Sequence, residues 1–327
     1  MPILSGKDPA ALARAARTLA DGGLVAMPTE TVYGLAANAV DERAVAGVFA
    51  AKGRPADHPL IVHVVDAEAA GRFCSEPGPQ ARRLMAAFWP GPLTLILPRR
   101  PGVAAAAAGG QRSVGLRCPS HPVAQALLAA AAQVGVPGLA APSANRFGRV
   151  SPTTAAHVQD EFGDTLLVLD GGACAVGIES SIVDCTRLPP ALLRPGGIAR
   201  SAIEAVLGGP LAGADAQRPR VSGSLESHYA PDARVLLFAA PALRQALAAA
   251  DAALLHKVAV YSRSLPSAPG SAAFRRMPGD AEGAAQELFA VLRELDASGA
   301  AAIWIERPPA EPAWDGVNDR LRRAAAA

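Results

Sequence analysis

Four short polar clusters interrupt otherwise apolar strand ends, and their residue types suit the capture of an anion. The first is Pro28-Thr29-Glu30-Thr31-Val32-Tyr33-Gly34-Leu35. Polar groups at the carboxyl end of a strand fit a ligand crevice in an α/β sheet, although an ordinary capped turn would use the same residues. The second is Lys52-Gly53-Arg54-Pro55, followed by Asp57-His58-Pro59-Leu60 and His63. Lys52 and Arg54 just past a helix can grip a polyphosphate, Arg as a fork and Lys as a point charge. Compensation of the helix C-terminus is the plainer use of both. His63 stands inside an apolar strand, where a lone histidine is more often a satisfied core residue than a ligand. The third cluster is Ser113-Val114-Gly115-Leu116-Arg117, whose alternate members share one strand face. An Arg ending an apolar strand is costly to bury unless it meets a carboxylate or phosphate. The fourth is Ala141-Pro142-Ser143-Ala144-Asn145 with Ser151-Pro152-Thr153-Thr154 after it. Ser151 or Thr153 would cap the helix that follows; Ser143 and Asn145 have no such use. Further on, Ser180-Ser181 and Leu193-Arg194-Pro195-Gly196 add hydroxyls and a cation at strand ends.

The charge distribution points the same way. Residues 77–159 contain no Asp or Glu but eight Arg. Solvated surface accounts for adjacent pairs such as Arg82-Arg83. A cleft that receives an anion accounts for the rest, because the ligand brings the countercharge. Phosphate-binding signatures built on glycine are missing: there is no Gly-x-Gly, no P-loop, and neither HExxH nor GxSxG. Nor is there a nucleophile–base pair or a carboxylate pair spaced for acid–base work. One Lys, three Arg and many hydroxyls suit binding a nucleoside triphosphate and stabilising charge at phosphorus.

These residues need elements to position them. Strand-like runs are 24–27, 60–65, 93–97, 113–117, 139–141, 166–169, 181–185 and 191–194, and helix-like runs are 42–51, 80–88, 122–133, 153–160 and 199–207. Asp8-Pro9 reads as the cap and first residue of an N-terminal helix. The later strands follow one another closely, which favours a mixed sheet. After Leu207 the pattern breaks into a linker over 208–231, and alternation then resumes over 232–327 as a smaller Rossmann-like α/β domain. The expected domains are therefore 1–207, a linker folding over the active site, and 232–327, the last read as a cover or regulator. With 327 residues, 50% apolar and 18% charged, the chain is globular. Its net charge of +2 argues against a general polyanion binder. Four cysteines without a CxxC pair read as free thiols. No segment reads as a membrane span or signal peptide, and a cytoplasmic location is expected.

In this order the clusters resemble the YrdC-like threonylcarbamoyl-AMP synthases over about residues 10–200. The matching stretches are PTETVYGL, KGRP with its following PL, FWPGPLTLIL, SVGLRCP, APSAN with SPT, GIESSIVD and LLRPG. The segment Ser227-His228-Tyr229-Ala230-Pro231 and the α/β tail resemble the longer, two-domain form. The resemblance implies a twisted mixed sheet with a basic concave face. It implies that L-threonine, bicarbonate and ATP give threonylcarbamoyl-AMP and pyrophosphate, and that the product passes to a transferase complex modifying tRNA. It places Thr31, His63, Arg117, Ala141 and Ser181 at threonine, with Arg117 on the carboxylate. It places Lys52, Arg54, His58, Ser113, Ser143, Asn145, Ser151, Arg194 and Tyr229 at ATP, with Lys52 and Arg54 catalytic. Mg²⁺ would arrive on ATP rather than in a protein cage. His58 stands where the family usually has Asn, so a contact there would be expected to depend on pH near neutrality. The rival readings are an RNA-binding module of the same fold without turnover, and a carbamoyl-transfer enzyme related to hydrogenase maturation. The absence of CxxC pairs speaks against the latter.

Overall fold

A computed structural model describes residues 3–213, 219–223 and 227–326. The chain divides into two compact units, residues 1–147 with 151–224, and residues 148–150 with 225–327. Parts of the expected linker, 214–218 and 224–226, lie outside the described residues.

Among the described residues the larger unit is built on ten strands: β1 (Ile3–Ser5), β2 (Val25–Met27), β3 (Gly34–Asn38), β4 (Ile61–His63), β5 (Leu93–Pro98), β6 (Ser113–Arg117), β7 (Leu139–Ala140), β8 (Leu167–Asp170), β9 (Ser181–Asp184) and β10 (Ala191–Arg194). Their order across the sheet is β1-β8-β2-β3-β7-β4-β6-β5-β9-β10. Pairing is mixed: β4 runs parallel to β6, while β3 and β4 both run antiparallel to β7. β3 carries Gly and Ala where a strand usually carries β-branched residues, so it is not legible from propensity. It forms because β2 turns back on it, and because Leu35, Ala36 and Ala37 are buried on both faces, which removes alternation. The PTETVY segment is therefore the turn of a buried hairpin.

Local signals place the helices well. Helix Pro9–Ala20 begins at Asp8, whose carboxylate accepts from the Ala10 amide at 2.9 Å, and buries Ala11, Ala15, Ala16 and Leu19. Helix Glu42–Lys52 is capped by Asp41 and stops at Gly53, which adopts φ 64°. A side chain would be strained there, so the glycine is what lets the chain turn sharply between Lys52 and Arg54. The helix after the fourth cluster spans Ala155–Phe162, and Thr154 caps it, not Ser151 or Thr153. Ser151 is thereby left for another task.

Among the described residues the smaller unit has four parallel strands, β11 (Arg234–Phe238), β12 (Val258–Ser262), β13 (Ala273–Arg276) and β14 (Ala302–Glu306), in the order β11-β14-β12-β13. Helix Ala281–Ala297 covers the sheet through Leu288, Phe289, Leu292 and Leu295. This is the mixed α/β fold with a second, smaller parallel sheet that the residue pattern predicts.

Candidate active site

Arg117 ends β6 with 3% of its surface exposed. Sequence offers no acid nearby, yet the fold supplies one. Glu30, from the β2–β3 turn, places Oε1 at 2.7 Å from Arg117 Nη2. The Arg117 Nη1 group donates to Thr31 Oγ1 at 2.8 Å, and Nε donates to the Gly91 carbonyl at 3.4 Å. Burial pushes the Glu30 carboxyl up, but the Arg117 charge and its hydrogen bonds pull it further, to a net value below the ordinary one. Glu30 is the site residue that sequence reasoning missed. Its signal was the costly Arg117, which demanded a countercharge.

The hydroxyl of Thr29 donates to the Val32 carbonyl at 2.6 Å, and Thr29 Oγ1 lies 2.9 Å from Thr31 Oγ1. Thr31 must therefore donate to Thr29 and accept from Arg117. A ligand at Thr31 meets an acceptor, not a donor.

His63, in β4, is directly opposite Arg117 in the parallel register. Ala141 follows β7, and its amide donates to the Ile61 carbonyl of β4 at 3.0 Å. Buried at 3% exposure, His63 has no hydrogen-bond partner on Nδ1 among the described residues. Burial, reinforced by the Arg117 charge, pushes its pKa down to about 3. The folded protein thus holds His63 neutral, whereas the unfolded chain protonates it below about pH 6.5. Its stabilising share is complete above that pH and is lost as pH falls toward 3. Between pH 6.5 and 4.5 this amounts to about 2–3 kcal/mol. We expect His63→Gln to flatten the pH dependence of urea stability in this window by that amount. An unchanged slope would show that His63 titrates normally.

A second set of cations gathers around the carboxyl ends of neighbouring elements. Lys52, 3% exposed, donates Nζ to the carbonyls of Ser143 at 2.6 Å and Asn145 at 2.5 Å. Burial, then the Arg54 charge, pushes its pKa well below the ordinary lysine value. Arg54 donates to the Pro59 carbonyl at 2.9 Å and to Ser222 Oγ at 3.2 Å. Arg194 donates to the Ser222 carbonyl at 2.8 Å, to the Ser180 carbonyl at 2.9 and 3.1 Å and to Ser180 Oγ at 3.2 Å. Arg54 and Arg194, far apart in sequence, therefore meet at one residue. Gly196, two beyond Arg194, passes so close that a Cβ would lie 2.3 Å from the Ser181 amide and 2.5 Å from the Glu179 carbonyl. Only glycine allows that approach.

The remaining residues fall on the same sheet edge or apart from it. Ser151, fully buried, donates to Glu179 Oε1 at 2.6 Å. Ser113 and Gly115 line a narrow groove with Leu60, Ile96, Ile182 and Ser222. Ser181 donates to the Ile198 carbonyl at 2.9 Å, and its amide donates to the Pro92 carbonyl at 3.0 Å, beside the Gly91 that holds Arg117. His58 packs edge-on against Phe147 with ring centroids 5.6 Å apart. Burial and the Arg54 charge lower its pKa, which moves any titration away from neutrality rather than toward it. Tyr229 belongs to the smaller unit. It is 1% exposed, adopts φ 64°, and lies with its ring 5.3 Å from Phe289 and 5.6 Å from the Arg320 guanidinium.

Among the described residues no group of three or more His, Cys, Asp or Glu side chains could hold a metal ion. The donor set of cations and hydroxyls is made for phosphate oxygens, not for a bare divalent cation. Among the described residues no helix is long and apolar enough to cross a membrane.

Known proteins resemble this chain along most of its length. Residues 17–196 match a family model described as "Telomere recombination", which groups Sua5, YciO and YrdC, and residues 198–326 match "Threonylcarbamoyl-AMP synthase, C-terminal domain". A threonylcarbamoyl-AMP synthase of Pyrococcus abyssi is 37% identical over 95% of this chain and 92% of its own. One of Bacillus subtilis is 43% identical over 70% of this chain and 67% of its own. The crystal structure of P. abyssi Sua5 complexed with L-threonine superposes with a TM-score of 0.85 at 36% identity, covering 96% of this chain and 94% of that one. Matches to both domain models and a relative aligned nearly end to end leave one conclusion: the chain belongs to the threonylcarbamoyl-AMP synthase family, in its two-domain form.

Proposed function

We propose that this chain condenses L-threonine, bicarbonate and ATP into threonylcarbamoyl-AMP and pyrophosphate, and that the two cation sets divide the substrates between them. The observation that carries this reading is their separation. Arg117 is held by Thr31 and Glu30, which fix a guanidinium suited to an amino-acid carboxylate. Lys52, Arg54 and Arg194 sit among carbonyls and hydroxyls, as a triphosphate receptor requires.

Threonine places its carboxylate on Arg117. Thr31 accepts from a substrate donor, and His63 stands beside Arg117 on the neighbouring strand. Ala141 and Ser181 complete that pocket. The amine adds to bicarbonate with loss of water, and confinement beside the nucleotide supplies the rate. An oxygen of the resulting N-carboxylate attacks the α-phosphorus, the bond to the β-phosphate breaks, and pyrophosphate leaves with its electron pair. Lys52, Arg54 and Arg194 offset the charge on the phosphate oxygens, with Ser113, Ser143, Asn145, Ser151 and His58 arranged around the nucleotide. A divalent cation such as Mg²⁺ would arrive on ATP and would screen that charge beside Lys52, Arg54 and Arg194. Arg54 and Arg194 exchange their bonds to Ser222 for phosphate oxygens when ATP enters. Tyr229 joins the nucleotide group on the family resemblance alone. The product passes to a tRNA threonylcarbamoyl transferase, in the cytoplasm.

Substrate omission tests the reading. Pyrophosphate release is expected to require threonine and bicarbonate together. Valine in place of threonine is expected to lower it by about 100-fold or more, since a site built around a hydroxyl leaves polar groups unpaired with the analogue. Release that ignores threonine would sink the proposal. RNA binding without turnover is the outcome that would then stand, and the near balance of 18 cations and 16 anions over residues 1–205 does not favour it.

A further inference from the structure

Glu30 is fixed more firmly than its role as countercharge to Arg117 demands. Its side chain is 8% exposed, and both oxygens are committed. Oε2 accepts from the Ser120 amide at 3.2 Å, while Oε1 lies 2.7 Å from Arg117 Nη2. Its own backbone is anchored too, because its carbonyl accepts from the Val176 amide at 2.7 Å. The carboxylate is therefore not a mobile surface group that happens to touch an arginine. It is fixed from two sides before it meets the guanidinium.

Arg117 is consequently held at all three nitrogens: Nε at Gly91, Nη1 at Thr31 and Nη2 at Glu30. Each terminal nitrogen carries a second N–H. A guanidinium can receive a carboxylate in two parallel hydrogen bonds. A fork works only if its plane is set, and the contact that fixes the Nη2 side comes from Glu30. A buried guanidinium without a countercharge would also draw in water or swing toward any anion present.

We propose that Glu30 is the positioning residue of the amino-acid pocket: pinned by the Ser120 amide, it holds the Arg117 guanidinium in the plane that accepts the substrate carboxylate. The proposal rests on the reading that Arg117 binds that carboxylate. Glu30 touches no reacting atom, so it acts on the binding of threonine and not on the transfer at phosphorus.

Steady-state pyrophosphate release of the full chain separates these roles. Glu30→Gln keeps the shape but loses the charge. It is expected to raise the KM for threonine at least tenfold, with kcat within threefold and the KM for ATP unchanged. Glu30→Asp retains the charge on a shorter arm and is expected to recover part of the loss. An unchanged or lowered threonine KM in Glu30→Gln overturns the proposal, as does a fall in kcat with KM unchanged. If Glu30→Gln does not fold, Glu30→Asp decides alone: a raised threonine KM at unchanged melting temperature supports the role, and an unchanged KM overturns it. Arg117→Lys tells the two failures apart. If it leaves the threonine KM unchanged, the carboxylate reading falls and the Glu30 role with it. If it raises the KM while Glu30→Gln does not, only the Glu30 role falls.

Discussion

Replacing Lys52 by methionine is expected to lower threonine-dependent pyrophosphate release by about 10²–10³-fold, the usual cost of removing one preorganised electrostatic donor. Methionine keeps most of the apolar stem of the side chain, so the loss isolates the ammonium. That ammonium is buried, and its proton affinity is depressed by burial and then by Arg54. Such a group gains when a polyanion arrives, because the phosphates add negative charge beside it. Lys52 also has a second task. Through the carbonyls of Ser143 and Asn145 it ties the end of helix Glu42–Lys52 to the turn that carries both of those residues. The variant should therefore bind ATP more weakly as well as turn over more slowly. Circular dichroism and melting temperature verify the fold. Release within threefold of the parent in a folded variant would remove Lys52 from the mechanism.

The largest effect on stability is expected in the smaller unit, at Asp319. This carboxylate is 5% exposed and serves three arginines: Arg320 at 3.2 Å, Arg322 at 2.7 Å and Arg323 at 3.0 Å. The partners differ in weight. Arg322 is exposed, and its pair is worth little. Arg320 is fully buried beneath the Tyr229 ring. Asp319→Ala removes a buried carboxylate shared by Arg320 and Arg323, a loss of about 3 kcal/mol, the lower end for a broken buried pair. The consequence reaches the His228-Tyr229 segment. The His228 amide donates to the Arg323 carbonyl at 3.3 Å, and Tyr229 rests between Phe289 and Arg320. Urea unfolding followed by tryptophan fluorescence reports the change, since Trp304 and Trp314 are both in this unit. A loss under about 1 kcal/mol would mean that water or another acceptor replaces the carboxylate.

Local chemistry was legible in the residues themselves. Asp8, Asp41 and the αL Gly53 mark helix ends through bonds that span a few positions, and the helices start and stop where those residues say. Composition read over one window located the acid-free stretch and the polar clusters. Ser151 shows the limit of such reading. Beside Thr153 and Thr154 it looks like a cap, yet Thr154 takes that role and Ser151 reaches Glu179 instead. β3 shows a second limit, since its Gly and Ala residues carry no strand signal and only its two buried neighbours make it a strand.

Partners across the sheet belong to the tertiary structure alone. Arg117 meets Thr31 across 86 positions and Arg54 meets Ser222 across 168. The sequence could say that a buried Arg117 needs a countercharge, because desolvation is a property of the residue and its apolar strand. It could not say that Glu30 is that charge. Strand order and the β2–β3 turn decide which side chains share a space, and both follow from packing the whole core at once rather than from any segment's own preference.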